Sequence, residues 1–70
     1  MKKILDFIVE QQVDSIEDLP KLVQPISTKF NLDIGIAEAI INTVIDWECS
    51  STPESLERIL NRKFPSIVTN

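Results

Sequence analysis

The chain has 70 residues, enough for one domain with a small core. An apolar share of 43% suits a folded protein and counts against disorder. Seven basic residues against eleven acidic ones leave a net charge of −4, which disfavours DNA or an anionic lipid surface as a default partner.

The first predicted helix runs from Lys2 to Gln12. Ile4, Leu5, Ile8 and Val9 recur at helical spacing on one face, with Phe7 at its edge. Met1-Lys2-Lys3 resembles the start of a signal peptide. The apolar run Ile4 to Val9 is short and interrupted by Asp6, so a signal is not expected and the expected address is cytoplasmic. No stretch approaches the ~18 apolar residues of a membrane span.

Asp14-Ser15 breaks the pattern, and Ser15 with Asp18 three residues on is spaced as an N-terminal cap. The second helix is predicted over Ile16 to Phe30, on the stripe Ile16, Leu19, Val23, Ile26 and Phe30. Pro20 is expected in its first turn, where a missing N–H does no harm. Pro25 comes later and should kink or break the helix near Gln24, by removing the bond to the Lys21 carbonyl.

Asn31 suits the left-handed residue that ends a helix, and Asp33 suits the N-cap of the next. This third helix, to about Glu48, is the most apolar part of the chain. Ile36, Ala37, Ile40, Ile41, Val44, Ile45 and Trp47 cover about half its circumference, more than the roughly 100° stripe a surface helix needs. Thr52-Pro53-Glu54 has the order cap, proline, acid, which predicts the start of a fourth helix reaching Lys63. Leu56, Ile59 and Leu60 should face inward, and Glu54 and Arg58 are spaced for an i,i+4 pair. The elements predict an all-α fold: a small compact bundle of four helices, with the second and third packed orthogonally or like a helix-turn-helix. Residues 1–64 form a single domain and 65–70 a tail, in which Ile67 and Val68 are able to dock.

Most catalytic chemistry lacks its residues. There is no histidine, which removes imidazole acid–base work, Ser-His-Asp and Cys-His systems, and the commonest metal ligand. One cysteine excludes an internal disulfide and the usual zinc sites, and Gly35 alone cannot make a phosphate-binding loop. Glu38 and Asp46 share a helix face but stand about 12 Å apart along the axis, too far for a cooperating pair. Cys49 reads as a small half-buried side chain. Asp46, Glu48, Ser50, Thr52, Glu54 and Glu57 fall at the ligand spacing of a calcium loop, but Ser51 stands where that loop needs glycine. Neither an enzyme nor a cofactor is expected.

Ile26, Ser27, Phe30, Asn31, Leu32, Ala37 and Ile40 resemble the packing pattern of a helix-turn-helix. The residues that would meet DNA are Asp33, Ile34, Gly35, Ala37 and Glu38. None donates a bidentate contact to a base, and two are acids, so nucleic acid is not the expected partner. The leading expectation is a non-catalytic protein–protein interaction module, open to self-association as a homo-oligomer, that uses the surplus apolar arc of the third helix. Ile34, Ile36, Ile40 and Trp47 are its candidate partner-binding residues, with Trp47 as anchor. Two alternatives stand beside it: a helix-turn-helix regulator of nucleic acid, and an acidic inhibitor that fills a basic site on an enzyme.

Overall fold

The protein is described by a computed structural model covering residues 2–65 and 67. Met1 and the tail residues Ser66, Val68, Thr69 and Asn70 lie outside the described residues. The chain forms α1 (Lys2–Glu10), a 3-10 helix (Ile16–Leu22), α2 (Val23–Phe30), α3 (Ile34–Cys49) and α4 (Leu56–Lys63). Its extents are 31 × 24 × 20 Å. The fold is an all-α bundle with α2 packed closely on α3.

The predicted second helix is two helices. Its first half winds as a 3-10 helix and its second as α2, changing at Leu22 and Val23. Prolines at positions 20 and 25 would each remove a rung from one continuous α-helix. Beginning α2 at Val23 puts Pro25 in a first turn, where its N–H is not needed. Pro20 lies inside the 3-10 helix rather than in a first turn. Three residues per turn align Ile16, Leu19 and Leu22, so Leu22 is buried where an α-helical stripe would have used Val23. The break falls slightly ahead of Gln24.

Local chemistry sets the α2–α3 turn. Asn31 takes the left-handed conformation (φ 53°, ψ 50°), and its N–H donates to the Ser27 carbonyl. The Leu32 N–H donates to the same carbonyl at 3.0 Å, while Ser27 Oγ donates to the Leu32 carbonyl at 2.6 Å. Asp33 Oδ2 then accepts from the Gly35 N–H at 3.1 Å and caps α3.

The core gathers on α3. Ala37, Ile40, Ile41 and Val44 are buried against Leu19, Leu22 and Ile26 on one side and Leu60 on the other. Thr43 is buried too, and its hydroxyl donates to the Ala39 carbonyl one turn back. Flanked by α2, the 3-10 helix and α4, α3 buries a wide arc inside one subunit. α1 docks through Ile4 and Ile8, and Phe7 meets Phe30 edge-on at 5.8 Å with the Lys29 ammonium 5.4 Å from its ring centre. In the tail, Ile67 packs against the core.

α4 begins later than its sequence signal. Ser55 is its N-cap, accepting from the Arg58 N–H, and Thr52-Pro53-Glu54 is a turn with Thr52 Oγ1 accepting from the Glu54 N–H. The Trp47 indole N–H donates to the Glu54 carbonyl at 2.8 Å, and the Arg58 N–H, which a helix from Pro53 would aim at that carbonyl, goes to Ser55 Oγ instead.

Candidate functional site

The four partner-binding residues expected from sequence are not brought together. Ile40 is fully enclosed (0% exposed) because it lies at the centre of the α3 arc covered by its neighbours, so it belongs to the core and offers nothing to a partner. Ile41, also in the wide apolar arc, is enclosed as well. Ile34 and Ile36 remain exposed (47% and 38%), but at 100° per residue they stand roughly 160° apart, on either side of the buried stripe. They do not make one patch. Trp47 is half-buried, with its N–H committed to Glu54.

The surplus apolar surface lies elsewhere. α1 turns Ile4 and Ile8 inward, which leaves Leu5 half-buried and Val9 74% exposed at the other edge of its apolar face. Ile16, the first residue of the 3-10 helix, is 38% exposed. These two residues border a cleft of about 550 Å³ between α1, the turn after it, and the corner where α3 meets α4. Trp47 and Val44 line its α3 side, and Leu56 closes the α4 side. Leu5, Ile8, Val13 and Leu19 complete the apolar wall. The charged residues lining it, among the described residues, are two acids: Asp14 on the turn and Glu48 on the last turn of α3. The sequence carries a trace of this site, because Leu5 and Val9 extend the apolar face of α1 past what Ile4 and Ile8 bury. Choosing which edge faces the core needs the tertiary packing.

Gln12 also lines the cleft and adopts a left-handed backbone (φ 51°), which lets the chain reverse tightly from α1 towards the 3-10 helix. The 3-10 helix is capped by Ser15 Oγ, which accepts from the Glu17 N–H at 3.2 Å. Asp18 makes no reciprocal cap and instead pairs with Lys21 at 3.2 Å.

Trp47 also borders a smaller cleft of about 280 Å³, with Thr43, Thr52 and Arg62. Several of its polar groups are engaged. Arg62 donates to both carboxylate oxygens of Glu54, at 2.6 and 3.3 Å, while Arg58 stands 3.9 Å away, so the expected i,i+4 partner is the weaker of the two. The hydrogen bond from Arg62 holds the Glu54 carboxyl below its usual 4.5.

The other sequence candidates disperse. α3 runs on through Cys49, so Asp46 and Glu48 sit on helical backbone about 160° apart, and Glu54 faces Arg62; the calcium-loop spacing does not converge. Cys49 is exposed, not half-buried as expected, because it falls on the solvent side of the last turn of α3. Of the residues that would meet DNA, Ala37 is buried and the Asp33 carboxylate caps its own helix. No helix among the described residues is long and apolar enough to cross a membrane.

Comparison with protein-family models, with curated proteins and with solved structures found no significant match to this chain.

Proposed function

We propose that this chain is a small, non-catalytic protein-binding module that receives an apolar segment of a partner in the cleft between α1 and the α3–α4 corner. The observation that carries the reading is Val9: a large aliphatic side chain left 74% exposed beside a mostly apolar cleft. Trp47 stands in the wall of that cleft, where its indole is held by the bond to Glu54 and presents its ring as a fixed contact. A pre-positioned aromatic loses little side-chain freedom on binding.

The affinity to expect is modest. Covering the exposed parts of Val9 and Ile16 contributes about 2 kcal/mol. Micromolar binding needs about 8 kcal/mol. The rest has to come from Trp47, the cleft floor and the charged rim, after the cost of association. A transient module fits that sum better than a permanent subunit.

A photo-crosslinking side chain installed at Val9, with one at Thr28 on exposed α2 as control, tests the reading in cells. The expected result is a discrete adduct from Val9 that Thr28 does not give. Equal labelling from both positions, or none from either, would refute it.

A further inference from the structure

We infer that the segment received by the cleft is an amphipathic helix whose apolar face is flanked by lysine or arginine. This rests on the docking reading above and adds the chemistry of the partner. Three observations select it.

The rim is the first. Among the described residues both charged residues lining the cleft are acids, Asp14 and Glu48, and the chain carries a net charge of −4. Basic flanks on the incoming segment meet that charge and speed its encounter. A second copy of this chain, seated symmetrically, would bring the same acids against one another.

The second is the shortage of free polar groups in the wall. A small-molecule site needs a few convergent donors and acceptors to fix its ligand. Here the Trp47 N–H is spent on the Glu54 carbonyl and Ser15 Oγ accepts from Glu17, which leaves the Gln12 amide as the main uncharged polar group of the lining. The wall can select shape and greasiness but has little to orient a polar ligand.

The third is backbone satisfaction. An extended peptide gains affinity by adding to a sheet edge, and the described residues contain only helices and turns. A helix satisfies its own backbone, so it can lie in an apolar groove without stranding donors and acceptors.

The test uses the full chain with three synthetic 16-residue peptides: an amphipathic Leu/Lys helix, its Leu/Glu counterpart, and a scrambled Leu/Lys sequence of the same composition. Trp47 emission reports binding, and amide and indole NMR shifts report its location. The Leu/Lys helix is expected to perturb Val9, Ile16 and Trp47 and to bind at least about fivefold tighter than either control. Asp14→Lys combined with Glu48→Lys should reverse the preference toward the Leu/Glu helix. Both positions are exposed, and a lysine near the end of α3 suits its dipole, so the variant should keep its fold by circular dichroism. If the Leu/Glu helix binds the unmodified cleft as tightly, the basic partner is wrong while the docking site stands. If the scrambled peptide binds equally well, helical amphipathicity is not what is read, and the inference fails. If no peptide perturbs the cleft and the Val9 crosslinker captures nothing, both readings fall. A concentration-dependent dimer that protects Val9 and Ile16 would assign the cleft to a second copy and overturn the basic helix.

Discussion

Replacing Trp47 with phenylalanine isolates one interaction that organises the α3–α4 corner. The substitution keeps an aromatic ring but deletes the N–H that reaches the Glu54 carbonyl at 2.8 Å. A net intramolecular hydrogen bond contributes about 1 kcal/mol. The smaller ring gives up some contact in a half-buried position, roughly 0.5 kcal/mol more. The freed carbonyl is part-buried and can turn to water or to the Arg58 N–H, so the larger penalty of a stranded acceptor is avoided. The expected loss is about 1.5 kcal/mol, which for a domain of this size lowers Tm by roughly 6–12 °C. Urea and thermal unfolding followed by far-ultraviolet circular dichroism measure it, since the fluorescent reporter is the residue removed. A Trp47→Phe protein within about 0.3 kcal/mol of the parent would show that the bond does not hold the corner.

Ile40→Ala should cost about 3–4 kcal/mol because the side chain is fully enclosed, whereas Ile34→Ala at the exposed start of α3 should cost under about 1; equal losses in chemical denaturation would contradict this placement of the core. Gln12→Gly should gain about 0.5 kcal/mol by relieving a left-handed backbone, and Gln12→Val should lose about 1; a valine tolerated better than a glycine would mean the turn is not left-handed. Glu54 has a folded pKa below its usual 4.5, so its pairing stabilises the fold fully above that value and the contribution is lost as pH falls through the lowered one. Arg62→Gln should therefore raise the Glu54 titration midpoint and destabilise the protein at neutral pH but not in strong acid. A carbon-detected NMR titration with an unmoved midpoint would rule that pair out.

The parts of the fold that could be read from sequence are those governed by neighbours in the chain. Asn31 and Asp33 lie two residues apart, and each acts through bonds to residues within four or five positions. Periodicity located the helices because a buried stripe must repeat with the turn. It could not orient them where the stripe was wide. On α1 the series Ile4, Leu5, Ile8 and Val9 permits two inward edges, and the Phe7–Phe30 contact helps decide between them. On α3 the same breadth suggested a surface for partners, but three neighbouring elements cover most of it. Thr52-Pro53-Glu54 misled for a comparable reason: the motif is purely local, while the observed cap is Ser55, next to a residue tied to Trp47 seven positions earlier. The cleft is assembled from four separate parts of the chain, so no local pattern could announce it.

Glu54 is held at both of its ends, its carbonyl by a residue seven positions earlier and its carboxylate by one eight positions later. Such short separations close small loops, whose entropic toll is slight compared with contacts between distant parts of a chain. By this argument the α3–α4 corner, like the still more local α2–α3 turn, should close early and the docking of α1 later; a φ-value near zero for Trp47→Phe would contradict it. A wall of the cleft would then be in place before its far side arrives.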